Sequence, residues 1–165
     1  MLVLGIDPGT AITGFGLVRE EEEGLALVAY GVITTAANQP LPERLQLIYQ
    51  GLAQVTRQHQ PQQAAVEELF FSRNARTALS VGHARGVALL ALADAGLPIY
   101  EYKPLEIKQA ITGYGGADKG QVQEMVRLLL NLDHVPQPDD AADAVAVAVC
   151  HIHSARMKAL IEDAR

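Results

Sequence analysis

Asp7, Glu67, Asp140 and Asp143 are scattered along the 165-residue chain, yet each falls where an element of secondary structure is expected to begin or end. Carboxylates brought together at such positions offer hard oxygen ligands. These suit Mg²⁺ or Mn²⁺, ions that stay partly hydrated and also bind phosphate oxygens. Clustered carboxylates repel one another, and a bound divalent cation offsets the repulsion. Two such ions about 4 Å apart activate a water and stabilise the leaving oxygen of an in-line displacement at phosphorus. The chemistry this set points to is phosphodiester hydrolysis.

Taken singly, the acids are unequal. Asp7 closes the apolar run from Leu2 and is followed by Pro8-Gly9-Thr10, which puts it at the carboxyl edge of a strand, where open α/β sheets bind ligands. By itself it could be a turn former. Glu67 follows Ala64-Ala65-Val66 in the same way, but Glu68 stands next to it. Strand alternation sends these two to opposite faces, so only one shares a site with Asp7, and alternation does not say which. Asp140 and Asp143 are three residues apart, on one face of a helix near its start. Asp139 and Asp140 also read as ordinary helix-start acids that complement free N–H groups and the dipole. Asp143 lies in a run otherwise made of Ala and Val, where a buried carboxylate is costly without a cation or hydrogen bonds.

Features suited to nucleic acid lie beside these acids. Beyond Glu67 comes Leu69-Phe70-Phe71-Ser72-Arg73-Asn74-Ala75-Arg76, where an aromatic can stack on a base and the arginines can meet phosphates. Phe70, Arg73, Asn74 and Arg76 are the candidate contacts, although either phenylalanine could equally be core. Lys108 lies on an expected helix, and Lys119 follows the glycine-rich segment Thr112 to Asp118, where a helix start offers free N–H groups to phosphate. The five histidines and single cysteine show no zinc-site spacing, and no Walker or nucleophile-elbow motif is present. His151 and His153 are expected on the surface of the last helix.

The elements that must position these residues follow from periodicity. Leu2–Asp7, Ile12–Arg19 and Leu25–Thr35 read as three successive antiparallel strands, the last two joined by a solvated turn around Glu20–Glu23. Leu45, Ile48, Leu52 and Val55 mark an amphipathic helix over 42–59, with Pro61 after its end. A strand over 64–68, a helix over 74–95 and a strand over 99–102 form a parallel crossover. Helices over 104–111, 119–130 and 140 to about 160 complete the order β-β-β-α-β-α-β-α-α-α. This predicts an α/β fold: a mixed sheet, made of a three-strand antiparallel meander plus parallel crossovers, with helices on both faces.

The length predicts one domain spanning residues 1–165. No uninterrupted apolar run approaches the ~20 residues of a membrane span, the amino-terminal residues lack the pattern of a secretory leader, and Cys150 is expected to be a buried thiol. A cytoplasmic protein without a membrane partner is the expectation. The net charge of −6 argues against nucleic acid, but it is unevenly distributed, since residues 73–127 carry +2 and the remainder −8.

Leu4-Gly-Ile-Asp-Pro-Gly-Thr10, Val66-Glu-Glu-Leu-Phe-Phe71, Lys108-Gln-Ala-Ile-Thr-Gly-Tyr-Gly-Gly-Ala-Asp-Lys119 and Asp140-Ala-Ala-Asp-Ala144, with Ala84-Arg-Gly-Val87 of the long helix, together resemble the bacterial RuvC Holliday-junction resolvases in the family's order. The resemblance implies an RNase H-like fold, a homodimer, and symmetric Mg²⁺- or Mn²⁺-dependent nicking of like-polarity strands in four-way DNA junctions, with the branch-migration complex RuvA and RuvB as partner. It places the catalytic acids on Asp7, Glu67, Asp140 and Asp143, and so chooses Glu67 over Glu68. The junction-binding lysines fall on Lys108 and Lys119, and the base-contacting aromatic on Phe70. Some members carry His at the position of Asp140. The alternatives are an actin/sugar-kinase-like ATP-binding protein, because Asp7-Pro-Gly-Thr-Ala-Ile-Thr-Gly14 also resembles that phosphate loop, a non-catalytic module of the same fold, or a nuclease for another nucleic acid.

Overall fold

A computed structural model describes residues 1–68 and 74–163. The strands are β1 (Leu2–Asp7), β2 (Ile12–Glu21), β3 (Gly24–Thr34), β4 (Gln63–Glu67) and β5 (Ile99–Tyr102). The helices are α1 (Leu41–His59), α2 (Ala75–Asp94), α3 (Pro104–Thr112), α4 (Lys119–Leu129) and α5 (Asp139–Asp163). The five strands form one sheet in the order β3-β2-β1-β4-β5. The meander β1-β2-β3 is antiparallel, whereas β4 joins β1 in parallel and β5 joins β4 in parallel. The expected α/β architecture is therefore present, including the crossover through α2.

Local chemistry accounts for the element ends. Asn74 caps α2, its side chain accepting from the backbone N–H groups of Arg76 and Thr77. Asp118 caps α4 in a reciprocal box with Gln121. Gly113 ends α3 in the left-handed conformation (φ 73°), which a residue without Cβ adopts freely. The β2–β3 hairpin is longer than the sequence suggests: Glu20 and Glu21 belong to β2, and the Glu20 carboxylate pairs with Arg156 of α5 rather than standing free in a turn.

Alternation sorts the strand side chains onto two faces. Leu2, Leu4, Ile6, Leu17, Ala64 and Val66 pack with Ile48 and Leu52 of α1 and with Ala84, Ala88 and Leu92 of α2. Val3, Val18 and Ala65 pack on the other face with α3, α4 and residues 145–152 of α5. Cys150 is fully buried there, and burial pushes its thiol up to about 12. By length and composition alone, Asp139–Glu162 could cross a membrane, although Asp143 and two histidines interrupt its apolar run. Here it is the helix laid across the middle of the sheet.

Candidate active site

Two parallel strand ends and one helix start meet at the carboxyl edge of the sheet. β1 and β4 are hydrogen-bonded with Ile6 opposite Val66, so Asp7 and Glu67 emerge side by side. Both share a face with Val3 and Ala65, the face covered by α5. The two carboxyls share a hydrogen bond. Glu68 is turned the other way by alternation, and its backbone N–H donates to the Tyr102 carbonyl (2.8 Å). The structure thus puts Glu67, not Glu68, beside Asp7.

Two glycines let α5 bring its acids this close. A Cβ at Gly5 would stand 2.1 Å from the Ala144 carbonyl oxygen, and one at Gly14 would stand 1.9 Å from that of Asp140. Any side chain there forces the helix away. With glycine in both places, Asp143 comes within electrostatic range of Asp7 and Glu67, and Asp140 within range of Asp7.

Crowding and burial govern the electrostatics. The Asp7 carboxyl is pushed up to about 8, first by burial and then by the neighbouring Glu67, Asp143 and Asp140. Glu67 is also raised, chiefly by burial and with Asp143 adding, while its hydrogen bond to Asp7 and the charges of Lys119 and Lys108 pull the other way. Burial raises Asp143 too, against the opposing pull of Lys119. Lys119 Nζ lies 2.9 Å from Asp143 Oδ2 and 3.5 Å from Asp139 Oδ2. Although burial works against its charge, these contacts raise its own pKa. A cavity of about 190 Å³ opens here, lined by Glu67, Lys108, Lys119 and Asp143 over an apolar floor that includes Ile107 and Val122.

The donor set is all carboxylate oxygen, which fits a hard divalent cation. An acid raised to about 8 by its like-charged neighbours and by burial marks the unbalanced negative charge such a cation offsets. In the arrangement seen, no three acid or histidine side chains among the described residues enclose a single ion site.

The remaining sequence candidates lie around this centre. Asp140 looks from the α5 start into a second groove, which it lines with Gly9, Thr10, Arg76 and Ser80. Arg76 is exposed there, at the start of α2. Thr10, itself buried, donates to the Ser80 carbonyl (2.5 Å) and accepts from the Ser80 hydroxyl (2.9 Å), tying the turn after Asp7 to α2. Asn74 is the α2 cap described above, and Phe70 and Arg73 lie outside the described residues.

One expectation is corrected. His151 is not a surface position: it is 2 % exposed, with Nδ1 2.7 Å from the Tyr102 hydroxyl and Nε2 2.6 Å from Gln63 Oε1. His153 is half-buried, with Nδ1 3.1 Å from the Ala110 carbonyl oxygen. The sequence of α5 carries no signal for this, because its uniform small residues give no period from which to read a buried side.

Comparison with known proteins bears on this site. The family model described as crossover junction endodeoxyribonuclease RuvC matches residues 3–151. A RuvC of Chloroflexus aggregans is 61 % identical over 155 residues, covering 94 % of each chain. The structure of Thermus thermophilus RuvC in complex with Holliday junction substrate superimposes with a TM-score of 0.91 at 40 % identity, covering 96 % of each chain. The yeast mitochondrial Holliday junction resolvase Ydc2 shares the fold, with a TM-score of 0.69 at 12 % identity over 92 % of this chain and 77 % of its own.

Proposed function

The chain belongs to the RuvC family of crossover junction endodeoxyribonucleases, and from that premise we propose that Asp7, Glu67, Asp140 and Asp143 form its catalytic centre. The protein is a Holliday-junction resolvase, an endonuclease that binds and cuts four-way DNA junctions with a divalent metal. The observation that carries the site assignment is the meeting of three half-buried acids, Asp7, Glu67 and Asp143, beside the Lys108 and Lys119 cavity, each raised first by desolvation and Asp7 further by Glu67, Asp143 and Asp140.

Asp7, Glu67 and Asp143 would hold one Mg²⁺ or Mn²⁺, with Asp140 beside Asp7 contributing to a second. Such ions polarise the scissile phosphate and activate the attacking water, leaving 5′-phosphate and 3′-hydroxyl ends. Lys108 and Lys119 neutralise the phosphates entering the cavity. Arg76 receives the DNA backbone on the Asp140 side; by the family resemblance Phe70 contacts a base, with Arg73 and Asn74 as further DNA contacts. The lysines lie within the locally positive stretch of the sequence, so junction binding proceeds despite the acidic total.

Symmetric nicking calls for two such centres related by a two-fold axis. We assign the pairing to α2, where Leu79 (64 % exposed) and Leu90 (55 %) flank Gly82 and Gly86, around which a Cβ would meet nothing. The reading is completed by one nuclease domain over residues 1–165, working in the cytoplasm with RuvA and RuvB.

The test is incubation of the purified protein with labelled four-way junction, linear duplex and single strand, in Mg²⁺, Mn²⁺ or EDTA. Paired nicks confined to the junction and abolished by EDTA are expected. Indiscriminate duplex cutting, or nicking that persists in EDTA, overturns the reading.

A further inference from the structure

The contact that brings α5 onto the sheet is smooth. At Gly5 and Gly14 the helix backbone lies where a Cβ would go, 2.1 Å from the Ala144 oxygen and 1.9 Å from the Asp140 oxygen, and at Gly16 the Val145 Cγ2 (2.6 Å) and Cα (2.8 Å) fill that place. Helix packing normally gains its register from ridges of side chains seated in grooves. Apart from the Val145 side chain at Gly16, glycine against alanine gives closeness without ridges, so a directional contact is needed to fix α5 along its axis.

That contact lies at the far end of the same helix face. The Gln63 amide oxygen only accepts, so His151 Nε2 carries a proton and donates to it, which leaves Nδ1 to accept from the Tyr102 hydroxyl. Burial, with the charge of Lys158 second, lowers the His151 pKa and favours this neutral ring. The Tyr100 ring covers it at a centroid distance of 4.4 Å. One side chain of α5 is thereby tied to both β4 and β5.

The spacing carries the tie to the acids. Gln63 and Glu67 share a face of β4, four residues apart, which is about 13 Å at ~3.3 Å per strand residue. His151 and Asp143 are eight residues apart on α5, which is about 12 Å at ~1.5 Å per helical residue. With His151 over Gln63, Asp143 falls over Glu67. Tyr102 is also the register partner of Glu67 across the β4–β5 ladder.

We propose that His151 is a positioning residue: its hydrogen bonds to Gln63 and Tyr102 set the axial register of α5 on β4, and through it the separation between Asp143 and Glu67. This rests on the assignment of those acids as the active site. A helix free to shift by about 1 Å would cost on the order of 100-fold in rate.

The experiment compares the full-length wild type with His151→Leu, His151→Gln and Tyr102→Phe. Their kcat and KM on a four-way junction, Mg²⁺ and Mn²⁺ affinity by titration calorimetry, and thermal midpoint are measured. His151→Leu is expected to lower kcat and metal affinity about 10- to 100-fold, with KM for the junction unchanged. Tyr102→Phe, which removes only a hydroxyl, lowers both less but in the same proportion. His151→Gln, which keeps one donor and one acceptor, recovers most of the loss. Variants that melt earlier yet keep wild-type kcat and metal affinity overturn the proposal, as does a rise in KM alone. If His151→Leu does not fold, Tyr102→Phe decides by the same criteria. A wild type that takes up no divalent cation overturns the site assignment and, with it, the proposal.

Discussion

The two faces of the sheet are packed by different means. On the α1/α2 face, Leu2, Leu4, Ile6 and Leu17 meet Ile48, Leu52 and Leu92, a contact of large branched side chains with ample buried area. On the α5 face the strands offer Gly5, Gly14 and Gly16, and the helix answers with Ala141, Ala144, Val145 and Ala148. Large residues hold a helix some 10 Å from a sheet, whereas glycine against alanine lets the backbones touch. Only that closeness brings carboxylates on α5 into range of carboxylates at the ends of β1 and β4. The leucine face supplies stability, and the glycine face supplies proximity and accepts the repulsion among its acids.

Substitutions can break this division. The largest expected effect is on activity alone: Asp143→Asn lowers junction nicking on the order of 1,000-fold or more, because it removes a charge from the centre. Since it also relieves like-charge crowding, it leaves the metal-free protein at least as stable. Single-turnover nicking beside a melting curve reads both, and substantial residual nicking would remove Asp143 from the site. Leu4→Ala on the opposite face is expected to cost about 2–5 kcal/mol of stability, with kcat per folded molecule unchanged. Gly5→Ala adds a single methyl to the other face of the same strand and is expected to cost about 1–3 kcal/mol through overpacking. Unlike Leu4→Ala it should also lower kcat, by about tenfold or more. If both variants lose stability and neither loses kcat, the two faces do not differ as described.

The sequence made one face far more legible than the other. The spacing of Leu45, Ile48, Leu52 and Val55 announces α1 because large apolar residues against polar ones give a clear helical period. In α5, residues 141–150 are Ala, Val and Cys apart from Asp143, and uniform small residues give no period from which to read a buried side. His151 was misjudged for that reason: nothing in the sequence distinguishes it from a solvated histidine until Gln63 and Tyr102, distant in sequence, are placed beside it. Asp143 was legible for the opposite reason, as a charge in a run with no other. Alternation fixes only that Glu67 and Glu68 differ; the family resemblance chooses Glu67, and the pairing of β4 with β1 puts it beside Asp7.

The pH dependence of the metal-free protein separates the faces most finely, because the crowded acids lie on one of them. Asp7 is raised from 3.8 to about 8 by burial first and by its carboxylate neighbours second. Below about pH 4 Asp7 is protonated in folded and unfolded chains alike and exerts no penalty. As pH rises toward 8 the unfolded chain releases this proton while the folded one retains it, so stability declines through that window and levels off above it. Glu67 and Asp143 are raised as well and steepen the decline in the same direction. The thermal midpoint in EDTA is therefore expected to fall from pH 5 to pH 8.5, and Asp7→Asn to flatten the curve and lie above the wild type at the alkaline end by at least several degrees, at about 2–4 °C per kcal/mol for a chain of this size. Leu4→Ala should shift the wild-type curve downward without changing its slope, because its face holds none of these acids. Divalent cation binds the ionised carboxylates, so the stabilisation it confers should grow across the same window. An Asp7→Asn curve as steep as the wild type would place the pH-sensitive group elsewhere and remove the crowding on which the proposed role of Asp7 as a ligand rests.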